Sequence, residues 1–190
     1  PLPVTLLGRV YSAQGHFGKA IGMLEKLLPL VPRWVELREL VLPTSIGFLA
    51  ISLVENGQVM RGLAIGKQMV DAVMPSKISA LIAGTVGPYS AAQLLAGDLE
   101  GALQSCEISY RAAEQSGNRL FLYLVSGIQG WVACRLGRIP EAEEYMAKSQ
   151  EAGAALGAQL VYSDWFAAGR AMIALAKGEP ETARQQLTGL

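Results

Sequence analysis

The chain has 190 residues, 51% of them hydrophobic and 17% charged, which excludes a disordered segment and suffices for a sizeable core. Its 16 basic and 16 acidic residues cancel, and that argues against broad electrostatic binding to nucleic acid or anionic membrane. One histidine and two cysteines are too few for a His/Cys metal cluster or a disulfide framework.

Five glycines punctuate the chain: Gly15, Gly57, Gly97, Gly137 and Gly178, spaced 42, 40, 40 and 41 residues apart. Spacing this regular is the mark of a repeat architecture. Each glycine is expected between two helices, where a chain leaving a helix often needs a left-handed residue. Seven positions before each stand Gly8, Ala50, Ser90, Gly130 and Ala171, and five after stand Ala20, Gly62, Ala102, Ala142 and Ala183. These small residues predict close contact between the two helices of each hairpin. Nine after stand Leu24, Gly66, Cys106, Met146 and Leu187, and two after stand Phe17, Val59, Leu99, Ile139 and Pro180.

In chain order, no basic stretch followed by an apolar core and a cleavage site opens the sequence, so no signal peptide is read. The first hairpin turns at Gly15-His16-Phe17-Gly18-Lys19. This segment lacks the spacing and preceding strand of a phosphate loop, and a lone turn histidine is expected to be solvated. Leu40 to Val54 carries no charge and reads as the first helix of the second unit; Arg61, Lys67 and Asp71 follow on the second helix. Ile78 to Gly97 is again uncharged and long enough to raise the question of a membrane span. Gly84, Gly87, Pro88, Ser79, Ser90 and Gln93 make a poor membrane helix and point instead to a helix–loop–helix junction. Asp98 is placed to cap a helix starting at Leu99, with an apolar stripe of Leu99, Ala102, Leu103, Cys106 and Tyr110. Gly117 ends that helix, Leu120 to Cys134 is the next uncharged run, and Gly157 recurs 40 residues after Gly117. Pro140 and Pro180 suit first helical turns, with Glu141 and Glu181 at the positive end of the dipole. Full segments read as helices of about 14 to 18 residues, judged from apolar spacing, and no strand is expected. Cys106 and Cys134 are expected to be buried, reduced thiols, which suits a cytoplasmic setting.

Leu7-Gly8, Tyr11, Gly15, Phe17, Ala20, Leu24 and Pro32 stand in the order and spacing of the tetratricopeptide repeat, and the first unit resembles that family. Later units keep the small–glycine–apolar–small frame and lose the aromatic signature, with Gln93 and Ala133 where Tyr11 stands. The period, about 40 residues, exceeds the family's 34. Units of this length, and the phrase Glu114-Gln115-Ser116-Gly117-Asn118-Arg119 followed by Gly130-Trp131 and Gly137-Arg138, resemble the C-terminal repeat region of large bacterial signalling proteins. Those include nucleotide cyclases joined to AAA-like ATPases and LuxR-type ATP-dependent regulators. The resemblance implies an all-α, right-handed superhelical solenoid of antiparallel helix pairs. Residues 1–190 are then one repeat domain of four complete pairs and an incomplete fifth, a piece of a longer protein.

In such a solenoid the first helices line the concave face and the second helices the outer one. The charges of the second helices (Glu100, Glu107, Arg111 and Glu114; Glu141, Glu143, Glu144, Lys148 and Glu151) make the outer face solvated and leave the inner face neutral and apolar. An exposed apolar face of that size marks a binding surface. Burial inside a tightly curled array, or cover by neighbouring repeats, is the alternative. By analogy with the family, the inner positions are Arg9 and Ser12, Phe48, Ile51 and Glu55, Trp131 and Arg135, and Trp165 and Met172. Trp131 and Arg135 are of the types enriched at binding hot spots, with a core-filling role for the tryptophans as the competing reading. The lysine and asparagine clamp that chaperone-cofactor repeats use on C-terminal carboxylates is missing from the inner helices.

No nucleophile, acid–base pair or metal set meets the requirements of an active site, so neither catalysis nor a cofactor is expected. The glutamates of Glu141, Glu143 and Glu144 read as solvated acids at a helix start. The expectation is a protein- or peptide-binding regulatory module, its partner being a separate protein, a neighbouring domain of the same chain or a second copy. A small-ligand or peptide sensor driving an attached ATPase, cyclase or DNA-binding domain is the alternative.

Overall fold

The computed structural model describes residues 2–30, 41–154, 156 and 163–188. Pro32 of the repeat signature and Gly157 lie outside the described residues. Helices come in successive pairs: α1 (Leu2–Ala13) and α2 (Phe17–Leu24), α3 (Val41–Glu55) and α4 (Val59–Val73), α5 (Ser79–Ala96) and α6 (Leu99–Ser116), α7 (Arg119–Arg135) and α8 (Ile139–Ala154), and α9 (Ser163–Ala176) and α10 (Pro180–Leu187). Short 3-10 segments at Glu25–Leu30 and Met74–Ser76 follow α2 and α4. No strand occurs among the described residues. Each helix packs against its hairpin partner, successive first helices pack on one another, and each second helix touches the first helix of the next pair. That connectivity is a solenoid of helix pairs.

The repeat columns explain the packing. Gly15, Gly57, Gly97, Gly137 and Gly178 all have φ between 74° and 85°, the left-handed conformation that ends the first helix of each pair. The residues seven before and five after them are all buried. At Gly62 an added Cβ would stand 2.7 Å from the Ala50 carbonyl oxygen, so the backbones of α3 and α4 are in near contact there. Of the column nine after, Leu24, Gly66, Cys106 and Met146 are buried, whereas Leu187 in the last pair is 47% exposed.

The start of α6 is as the sequence predicts. Asp98 Oδ1 accepts a hydrogen bond from the Gly101 N–H at 3.0 Å. Its Oδ2 accepts one from Gln93 Nε2 at 2.8 Å, and Gln93 Oε1 accepts one from the Ser105 hydroxyl at 2.6 Å. One cap thereby stitches α5 to α6. Asn118 caps α7 in the same way through the Phe121 N–H, at 3.2 Å. Pro180 opens α10, and Pro140 sits in the first turn of α8.

Two expectations need correction. The segment from Ile78 to Gly97 is not interrupted by a loop: α5 runs unbroken through Gly84, Gly87 and Pro88. Tertiary packing overrides propensity there, because residues 83–94 are buried without a gap. Carbonyls around the proline also find side-chain donors. Ser90 Oγ donates to the Gly87 carbonyl at 2.6 Å, and Ser109 Oγ of α6 to the Ala83 carbonyl at 3.0 Å. Second, α2 has only 8 residues. Pro29 falls where a longer helix would need an N–H, and the chain tightens into the 3-10 segment instead.

The charged residues that the sequence places on the second helices are exposed, whereas the inner surface is not neutral: Arg9, Glu55 and Asp164 border its cavities. Lys67–Asp71, Arg111–Glu107, Lys148–Glu144 and Arg184–Glu181 are exposed ion pairs within single second helices, each worth about 0.3–0.5 kcal/mol. Lys177–Glu143 and Arg61–Glu25 link neighbouring pairs. The uncharged runs of α3, α5 and α7 are mostly consumed by packing: residues 45–54, 83–94 and 125–130 are all buried. A helix apolar on every side is a buried helix. Both cysteines are buried and unpaired with each other; full burial pushes the Cys106 thiol up to about 12, and burial also raises Cys134. Among the described residues no helix is long and apolar enough to cross a membrane, and no group of His, Cys, Asp and Glu could hold a metal ion.

Candidate functional site

Phe48, Ile51 and Glu55 succeed one another at three- and four-residue steps on α3, so they share one face. Phe48 and Ile51 are each 4% exposed, while Glu55, the last residue of α3, is exposed. The Ser52 hydroxyl lies 2.9 Å from that of Ser12 and donates to the Phe48 carbonyl at 2.8 Å. This buried contact fixes α1 against α3 and sets Ser12 beside the Phe48–Glu55 face.

The fifth pair returns to this place. Trp165 of α9 meets Trp131 of α7 edge-on, with ring centroids 5.4 Å apart. Trp165 also joins Asp164, Ser12, Phe17, Phe48, Ile51 and Glu55 around one cavity of about 220 Å³. A neighbouring cavity of about 240 Å³ is lined by Leu6, Arg9, Val10, Ala13 and Phe48. Ala13 and Phe48 border both. The Arg9 guanidinium lies 4.8 Å from the centre of the Phe48 ring.

The residues proposed from sequence thus separate. Arg9, Ser12, Phe48, Ile51, Glu55 and Trp165 converge on the two cavities. Trp131 borders neither cavity and packs edge-on against Trp165. Arg135 donates to the Leu94 carbonyl at 3.1 Å, a tie from α7 back to α5. Met172 is 40% exposed and borders neither cavity.

The chain matches no protein-family model and no curated protein in sequence. Two crystal structures of a kinesin light chain-like protein from Podosopora anserina, one of them a substituted form, carry nearly identical TPR-like repeats and resemble it in structure. Identity is 17%, the alignment covers 97% of this chain and 90% of that one, and the TM-scores are 0.60 and 0.59. The fold is TPR-like.

Within this TPR-like solenoid, Asp164, Ala13, Leu6 and Val10 border the cavities without having been singled out in the sequence. Phe17, two residues after Gly15 in the repeat frame, is half-buried and borders the first of them. Asp164 adjoins Trp165 in sequence, but its approach to α3 depends on how far the solenoid curls. Repeat columns name the face of each helix and carry nothing on the rotation from one pair to the next.

Proposed function

We propose that this TPR-like chain is a non-catalytic, protein-interaction and regulatory module of a larger bacterial signalling protein in the cytoplasm. It offers the inner surface where α1, α3 and α9 meet to a partner helix, a peptide or a neighbouring domain. The observation that carries the reading is the convergence of Phe48, Ile51, Glu55 and Trp165, more than 100 residues apart in sequence at the extremes, on one cavity. Aromatic and aliphatic walls with a polar rim are the anatomy of a docking hot spot. The two cavities measure about 220 and 240 Å³, below the ~300–1,000 Å³ usual for drug-sized ligands. Two small cavities that meet at Ala13 and Phe48 suit two neighbouring side chains of one peptide, and side-chain anchoring is the reading adopted here. The signalling setting rests on the resemblance of the repeat units and on nothing in the cavities.

The test is a display selection of peptides on the folded chain, followed by mapping of backbone amide shifts on adding the selected peptide. Shifts centred on Ser12, Phe48, Ile51 and Trp165 are expected. Shifts confined to the outer helices α4, α6 and α8 would refute the assignment.

A further inference from the structure

The two cavities differ in charge, and the difference names an occupant. Arg9 lines the apolar one. The other is bordered by two carboxylates, Glu55 and Asp164, and by no lysine, arginine or histidine. Both acids are exposed. Glu55 and Asp164 form no ion pair among the described residues, as Glu100, Glu114 and Glu151 of the second helices also do not, and Asp164 Oδ1 accepts a hydrogen bond from the adjacent Ser163 hydroxyl at 3.2 Å; what sets the two apart is that they border one cavity. Aromatic faces attract cations, and the Phe48 ring already holds one guanidinium, that of Arg9, at 4.8 Å.

We infer that the Glu55–Asp164 cavity takes the basic side chain of a partner peptide, with a large apolar side chain of the same peptide seated in the adjoining cavity. This rests on the reading of the inner surface as a docking site and adds the chemistry of what docks. The aliphatic stem of a lysine or arginine lies along Phe48, Ile51 and Trp165, and its charged head meets the two carboxylates at the rim. The charge segregation across Phe48 sets direction: an acidic side chain at the Glu55 end would face like charges, a repulsive element that sharpens specificity.

The probes are three nonapeptides of alanine and serine with a central pair: leucine–lysine, leucine–norleucine or leucine–glutamate. Binding is followed by amide shifts and by the Trp165 indole signal, on the unaltered chain and on the E55Q/D164N double variant. Both positions are exposed, so the variant keeps its circular dichroism. The lysine peptide is expected to bind at least tenfold tighter than the other two, and the preference is expected to shrink to within twofold in the variant. Equal binding of the lysine and norleucine peptides at the same amides, or a preference that survives in the variant, overturns the basic-residue assignment and leaves the docking surface standing. No shift from any of the three at millimolar concentration overturns both.

Discussion

Replacing Gly47 by alanine probes how closely α3 and α5 approach. An added Cβ would stand 2.3 Å from Pro88 Cβ and 3.0 Å from its Cγ, against about 3.5–4.0 Å for relaxed carbon contacts. The proline ring is tied to its own backbone and cannot rotate away, so the helices must separate by more than about 1 Å, the shortfall against that contact distance. Overpacking of this kind costs about 1–3 kcal/mol, and an unyielding neighbour places it at the upper end. Alanine returns about 0.8–1.0 kcal/mol through helix propensity. The net expectation is a loss of about 2 kcal/mol, or about 1 M in the urea midpoint for an m-value near 2 kcal/mol/M. Gly22 supplies the control. It is helical and exposed, with nothing within 4 Å of an added Cβ, so Gly22→Ala keeps the propensity gain and raises the midpoint. Urea titrations followed by far-ultraviolet circular dichroism decide the matter. A midpoint for Gly47→Ala at or above the unaltered chain, or movement of both variants in one direction, refutes the packing argument.

Asp98→Ala removes the cap of α6 and the acceptor for Gln93. It should cost about 1–2 kcal/mol, with Asp98→Asn retaining most of the stability in the same urea titration. The Cys106 thiol titrates near 12 in the fold against a reference of 9.0, so its folded value is raised. The stability it lends is whole below about pH 9 and falls by about 1.4 kcal/mol per pH unit up to about pH 12. Burial also raises Tyr89, Tyr110, Tyr123 and Tyr145, so the measurement is the difference in alkaline slope between the unaltered chain and Cys106→Ala. Parallel slopes would contradict the assignment. Gln129 is 2% exposed and its Oε1 finds no hydrogen-bond donor among the described residues. Gln129→Met, close in shape, is expected to raise thermal stability by about 1 kcal/mol, read as an increased melting temperature.

Much of this architecture is legible in the residues, and for a physical reason. Hairpin glycines, the small residues flanking them and Asp98 each answer a local steric or hydrogen-bonding need, and local needs recur at a fixed period. Pro88 is a failure of the same logic. Its helix-breaking tendency is local, but the glycine of α3 that accommodates its ring lies 41 residues earlier, where no local pattern announces the partnership. The candidate site is split along the same line. Phe48, Ile51 and Glu55 could be read together because one helix carries them. Their meeting with Ser12 depends on one interface, and their meeting with Asp164 and Trp165 on several in series, each contributing a small rotation that composition does not encode. The apolar runs also say that α3, α5 and α7 are to be covered, without saying whether neighbours or a partner would do it.

The cavity that joins α1, α3 and α9 is closed by the first, second and fifth pairs, while the third and fourth form only the span between them. Its width is therefore a sum over every intervening joint, in the way the gap of a clasped bracelet reports the angle of each link. A change at a remote joint, such as Ser109 against Ala83 or Arg135 against Leu94, opens or narrows the gap without touching its walls. Affinity at this site should then respond to substitutions throughout the third and fourth pairs, graded by how far each turns its neighbours. Removing α9 and α10 would take away the Asp164 and Trp165 wall of this cavity and strip Phe166 and Ile173 from the core they share with the preceding pairs, while the neighbouring cavity lined by α1 and α3 would stay.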